Sequence, residues 1–148
     1  MSDVKTLVTF FSAEGTTAPL AKEFAKRANA DLFEIVPVEP YKPADLKYTN
    51  PLARCHREQI AGKDVPIQGT IDNFNQYDTV YIGFPIWYAQ APRVIHTFCK
   101  NYNWEGKKIY AFATSGGSGI GKTAEKLQPS ASGAVSIEAK LVHSVDDI

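Results

Sequence analysis

The strongest constraint on this chain is its alternation between two hydrophobic periods. Residues 7–11 (LVTFF) form a nearly continuous apolar run, the pattern of a strand covered on both faces of a parallel sheet. Over residues 17–30, Leu20, Phe24 and Ala28 recur four apart, with Lys22, Glu23, Lys26 and Arg27 between them. That spacing predicts one amphipathic helix. Pro19 falls in its first turn, where a missing N–H costs little. Residues 31–36 (DLFEIV) predict a second strand, stopped by Pro37 and Pro40. Residues 79–84 (TVYIGF) and 108–113 (KIYAFA) predict a third and a fourth, and 133–137 (GAVSI) a weaker fifth. Val94, Ile95 and Phe98 stand at helical spacing within 92–102, and 121–127 predicts a short helix ended by Pro129. Strands separated by helices imply right-handed βαβ crossovers. The expected class is therefore α/β, an open, doubly wound parallel sheet in a single domain over residues 1–148.

Residues 37–77 fit this scheme least well. They hold Pro37, Pro40, Pro43 and Pro51, with one helix candidate over 52–61. A structureless connection of that length is uncommon in a compact domain. The helix candidate can serve as the crossover, and the remainder is expected to form a surface excursion.

Charge and composition exclude several classes. The chain has 16 basic and 16 acidic residues, so no electrostatic drive toward nucleic acid or an anionic membrane is expected. The apolar run after the N-terminus ends too soon for a signal peptide. The longest apolar region, 80–91, contains Gly83 and Pro85 and is too short to span a bilayer. Cys55 and Cys99 form no C-x-x-C pair, so a cytoplasmic protein without a disulfide scaffold is expected. Cys99, beside Phe98, reads as a small buried hydrophobe, and Cys55, near His56 and Arg57, as a bystander. His56, His96 and His143 lack metal-ligand spacing, and His96 reads as structural or surface. Ser118 lacks a nucleophile-elbow frame because Ile120 stands where the last glycine belongs. No catalytic residue and no metal site is expected.

One motif points elsewhere. Residues 114–123 (TSGGSGIGKT) match the P-loop pattern from Gly116 to Thr123, while Gly119, Gly121 and Ala124 fit a dinucleotide fingerprint. The P-loop reading fails on context. It follows the fourth strand, only 25 residues follow Thr123, and no downstream strand ends in an Asp to position a metal. The dinucleotide reading has Glu138 at a tolerable distance, but Pro129 cuts the intervening helix short.

The turn after the first strand is better suited to phosphate. Gly15 permits a tight bend, Ser12, Thr16 and Thr17 supply hydroxyls, and the helix start supplies unpaired N–H groups. No Lys or Arg lies in the turn. Neutral donors of this kind suit a phosphate monoester, and the same residues also fit a plain Ser/Thr cap that merely starts the helix.

These stretches together resemble a known family. Residues 11–17 (FSAEGTT), 30–36 (ADLFEIV), 83–87 (GFPIW) and 113–121 (ATSGGSGIG) are similar to successive landmarks of short bacterial flavodoxins, in order, from Lys5 to about Val142. The resemblance implies a five-stranded sheet in order 2-1-3-4-5 and one non-covalent FMN. By position, Ser12, Gly15, Thr16 and Thr17 would hold the FMN phosphate. Pro85, Ile86, Trp87 and Tyr88 would form the wall beside the isoalloxazine, with Thr114, Ser115, Gly116 and Gly117 as the loop on its other side. An aromatic pair such as Trp87-Tyr88 suits stacking on a flat ring, although both rings also fit a plain core cap. Gly116 and Gly117 let backbone donors approach closely. The apparent P-loop is then a flavin loop.

The chain also departs from the family pattern. Many flavodoxins are acidic, which suits docking to basic partners, whereas this chain is neutral. Glu14 sits in the phosphate turn and must point away from a dianion. Residues 115–120 contain no aromatic for the outer flavin face. Residues 85–89 (PIWYA) contain no glycine, so a peptide flip needing positive φ is costly and one-electron reduction is expected to be less favoured. Residues 144–148 read as a capped helix start where the family has a closing helix. An apolar strip beside the first helix, and a homodimer through it, are expected in consequence. The resemblance implies a flavoprotein of electron transport, shuttling between a reductase and an acceptor enzyme as redox partner proteins. The alternative is an oxidoreductase proper, an NAD(P)H-dependent reductase of quinones or nitro compounds. A third class is an interaction module without FMN.

Overall fold

A computed structural model describes residues 6–11, 17–37, 67–68, 71, 74–85, 93–114, 123–142 and 148. An inner strand of its sheet is β1 (Thr6–Phe10), fully buried from Leu7 onward. It pairs in parallel with β2 (Asp31–Glu34) on one side and β5 (Thr79–Pro85) on the other, so that Leu7 lies opposite both Asp31 and Val80. β6 (Lys108–Thr114) and β7 (Ser136–Leu141) extend the sheet beyond β5, again in parallel. The order is β2-β1-β5-β6-β7. Counting the five sheet strands in chain order, this is 2-1-3-4-5, as the resemblance implies.

Alternation along the strands assigns two faces. Leu7, Val80, Ile82, Phe84, Ile109, Ala111 and Ala113 belong to one buried cluster, with Val94, Ile95, Phe98 and Cys99 from α2 (Arg93–Lys100), Trp104, and Leu127 from α3 (Thr123–Leu127). The Trp104 indole N–H donates to Cys99 O at 2.6 Å, a carbonyl at the end of α2 that Tyr102 N–H reaches only at 3.4 Å. Burial pushes the Cys99 thiol up to about 12, so it behaves as the small hydrophobe that its neighbourhood predicts. His96 is buried too, its Nδ1 2.9 Å from Ser130 Oγ, which ties α2 to the turn after α3. Cys55 lies outside the described residues.

Val8, Phe10 and Phe112 face the other way, under α1 (Thr17–Ala28). Here the expected stripe shifts. The buried positions are Thr17, Ala21 and Ala25, not Leu20, Phe24 and Ala28. Small side chains let the helix approach the sheet closely, while Leu20 and Phe24 reach around its flank. The Phe24 ring sits 4.6 Å from Tyr81. Asn29, at φ 52°, caps the helix in the left-handed region, and Ala30 N–H closes on Ala25 O at 2.9 Å.

Two strand boundaries also differ from expectation. The expected strand 31–36 is split. Ile35 N–H donates to Phe10 O at 2.7 Å, the last bond β1 can offer, and the chain then leaves the sheet. Its next residues form β3 (Val36–Pro37), antiparallel to β4 (Ile67–Gln68), so the two ends of the proline-rich excursion are clipped together. The helix candidate at 52–61 lies outside the described residues. The fifth strand is 136–141, not 133–137, because Gly133 has a φ of 95° that no strand accommodates.

The opposite end of the sheet is closed by polar contacts. Lys107 is buried with its Nζ donating to Tyr77 O and lying 5.1 Å from the Phe74 ring centre. Burial lowers its pKa, and nearby Asp78 acts against that shift. Tyr77 Oη donates to Asp31 Oδ2 at 2.6 Å, joining the start of β2 to the turn before β5. No described helix is long and apolar enough to cross a membrane.

Burial, together with the hydrogen bond to Asp31 and its charge, raises the Tyr77 phenol from 10.0 to about 12. The folded state therefore holds this proton more tightly than the unfolded chain. Its contribution is complete below about pH 10 and is lost as pH rises through about 12. Tyr77→Phe is expected to cost about 1 kcal/mol at neutral pH and to flatten the alkaline loss of stability. Urea midpoints measured across that pH range check both.

Candidate functional site

In an open parallel sheet the ligand crevice lies beyond the carboxyl ends of the strands, where the strand order reverses. Here the chain passes from β1 outward to β2, then returns to place β5 on the other side of β1. The crevice therefore opens above β1 and β5. Phe11 N–H continues the ladder past the end of β1, donating to Gly83 O at 2.8 Å.

Three of the residues selected from sequence are described, and all three stand at this end. Pro85 and Thr114 are register partners, the last residues of β5 and β6. Thr17 opens α1 and is 1% exposed; Thr114 is 6% exposed. Their hydroxyl oxygens share a buried hydrogen bond at 2.9 Å, although the residues are 97 apart in sequence. The structure thus brings the first residue of α1 and the last residue of β6 to one point. Ser12, Gly15, Thr16, Ile86, Trp87, Tyr88, Ser115, Gly116 and Gly117 lie outside the described residues. The segments carrying them, 12–16, 86–92 and 115–122, each join directly to Thr17, Pro85 or Thr114.

The chemistry of this hydroxyl pair follows from proton count. A threonine hydroxyl has one proton and two lone pairs. Within the pair one hydroxyl donates to the other, and the acceptor's own proton stays available for a third group. Whichever hydroxyl accepts, the pair sits beside a helix start, where backbone N–H groups and the helix dipole favour an anion. Among the described residues that end β1, β5 and β6 or begin α1, none carries a charge at this end. The donors present are neutral, the set that suits a phosphate monoester held by hydrogen bonds.

Sequence reasoning passed over one residue that builds this point. Gly83 lies mid-strand in β5 opposite Phe10 and Phe112. A Cβ there would collide with the Phe112 ring and come within 3.1 Å of Thr17 Cγ2. Only a bare backbone lets Phe112 and Thr17 settle so close to the sheet. The available signal was a lone glycine inside an otherwise apolar strand, which marks close approach. Thr123, the last residue of the P-loop match, is fully buried as the first residue of α3, well past the central crossover.

Comparison with known proteins agrees with this geometry. A family model described as Flavodoxin matches residues 5–147. The chain belongs to the flavodoxin family. Among solved structures it is similar to a protein from Bacteroides eggerthii described as a flavoprotein, at 36% identity and a TM-score of 0.89, covering 98% of this chain and 93% of the other. A flavoprotein of like description from Bacteroides uniformis is 37% identical over 93% of this chain and 89% of its own, with a TM-score of 0.86. A flavoprotein from Lactobacillus acidophilus, solved in complex with FMN, is 28% identical over 98% of this chain and 95% of its own, with a TM-score of 0.72. No curated protein matches.

Within this flavodoxin fold, two substitutions test how the crevice is built. Gly83→Ala is expected to cost about 1–3 kcal/mol by overpacking against Phe112. Thr114→Val keeps the shape but strips Thr17 of its buried partner, at about 1–3 kcal/mol. Urea unfolding followed by circular dichroism measures both. Losses near zero would contradict the packing described.

Proposed function

We propose that this protein binds one FMN non-covalently and carries electrons between redox enzymes, receiving them from a reductase and passing them to an acceptor. The observation that carries the reading is the Thr17–Thr114 hydroxyl pair at the start of α1. It leaves a neutral donor at the crevice where a flavodoxin-family chain would hold a phosphate tail. The FMN complex of the Lactobacillus acidophilus flavoprotein supports the choice of ligand.

In this reading Ser12, Gly15, Thr16 and Thr17 hold the phosphate by hydrogen bonds and the dipole of α1. Pro85, Ile86, Trp87 and Tyr88 supply the apolar wall for the ring. Thr114 orients Thr17, and Ser115, Gly116 and Gly117 bring backbone donors to the ring's polar edge, where they favour negative charge. When bound, FMN supplies the redox chemistry at its ring; the protein contributes binding, orientation and electrostatics. The carrier role, as against an enzyme's, rests on family membership. With a net charge of zero, partner docking relies on shape and apolar contact more than on an acidic surface.

Two measurements test this. Apoprotein titrated with FMN is expected to take up one equivalent and turn yellow, and a protein that refuses FMN would overturn the reading. Holoprotein mixed anaerobically with excess NADPH is expected to keep its colour until a reductase is added. Rapid bleaching without another protein would instead support the NAD(P)H-dependent reductase of quinones or nitro compounds.

A further inference from the structure

The five-stranded sheet ends in β2 on one side and β7 on the other. An outer strand carries backbone donors and acceptors with no partner in its own sheet. The two edges differ in what they would do against their own copy. β2 reads Asp31-Leu32-Phe33-Glu34. Paired antiparallel with itself in full overlap, it sets Asp31 against Glu34, and like charges directly opposite are unfavourable.

β7 reads Ser136-Ile137-Glu138-Ala139-Lys140-Leu141. Inverted about Ala139, this sequence complements itself on both faces. Glu138 meets Lys140 on one face, and Ile137 meets Leu141 on the other. The backbone parity agrees. Val142 N–H donates inward to Ala113 O at 2.9 Å, and inward and outward residues alternate along a parallel strand. Ile137, Ala139 and Leu141 therefore direct their N–H and C=O groups away from β6. An antiparallel contact centred on Ala139 makes it a hydrogen-bonded pair and makes Glu138–Lys140 a non-hydrogen-bonded pair, the arrangement that brings side chains closest.

We propose that β7 pairs antiparallel with β7 of a second copy about a two-fold axis at Ala139, running one sheet through both molecules. Glu138 then lies opposite the partner's Lys140, and the same contact recurs across the axis, as an isologous interface requires. Both residues are exposed in the single chain, while Ile137 and Leu141 are half-buried against the core and gain cover from the partner's strand. Whether a closing helix leaves an apolar strip beside α1 turns on residues 143–147, which lie outside the described residues; the described residues do leave a groove on that face of the sheet. It is about 580 Å³ in volume and lined by Tyr81, Tyr110, Phe112 and Ile148, with Glu138 and Lys140 along its rim. Two such concave grooves do not fill one another, whereas the β7 edge does close on itself.

Sedimentation velocity of the full chain over a concentration series tests this, with wild type expected to form a dimer. Lys140→Glu sets like charges across both halves of the axis and is expected to weaken association by about tenfold or more. Adding Glu138→Lys to that variant restores opposite charges, and is expected to bring association back to within about threefold of wild type. Both positions face solvent, so circular dichroism should be unchanged in each variant and separates misfolding from lost pairing. Wild type that stays monomeric, a single variant that associates like wild type, or a double variant no tighter than the single one would each overturn the proposal. None of these outcomes bears on flavin uptake, which depends on the crevice beyond β1 and β5.

Discussion

The parallel ladder on both sides of β1 is the constraint on which the rest depends. A strand buried on both faces must satisfy its backbone entirely within the sheet, and β1 does so against β2 and β5. Parallel partners cannot be joined by tight turns, so each pairing demands a long crossover. Because the first crossover goes one way and the next returns past β1, the connecting segments part above the sheet. The crevice follows from strand order itself, before any particular side chain is considered.

Packing then ties the crevice to the core. Gly83 lets the Phe112 ring lie against β5, and the same bare backbone admits Thr17 at the head of α1. Thr17 in turn reaches the hydroxyl of Thr114 at the end of β6. Residues from the first helix, the central strand and the next strand outward thereby share one buried contact. The stripe of Ala21 and Ala25 acts in the same direction, seating α1 close enough for its first turn to reach that point. The anion site proposed at this point depends on donors that are already placed, because among the described residues at this end none is a lysine or arginine. Burial and close packing supply that placement.

Much of this was legible in the residues. The apolar run of β1, the Ser/Thr-rich turn and the glycine-rich segment after β6 mark the strand ends that flank the crevice. Their order along the chain yields the fold class, while the strand order came only with the resemblance to flavodoxins. Other features depend on three-dimensional contacts that no local pattern carries. Leu20 and Phe24 have the right spacing for a buried stripe, yet small residues win because closeness to the sheet matters more than side-chain size. The strand beginning at Asp31 is cut at Ile35 because β1 runs out of partners, a fact about another segment. Gly133 adjoins an apolar run, yet its φ of 95° keeps it out of the strand. The hydroxyl contact joins residues 97 apart and has no sequence signature. Of the candidate site, the structure locates Thr17, Pro85 and Thr114.

The central claim is that the start of α1 receives the phosphate of FMN, and comparing FMN with riboflavin tests it most directly. Thr17→Val removes a hydroxyl while keeping the shape. A hydrogen bond to a charged group is worth about 1.5–3 kcal/mol, so FMN affinity should fall by roughly ten- to a hundredfold. Riboflavin, which has no phosphate, should bind wild type far more weakly than FMN and lose little on the substitution. Equal losses for both ligands, or equal affinities in wild type, would contradict the account.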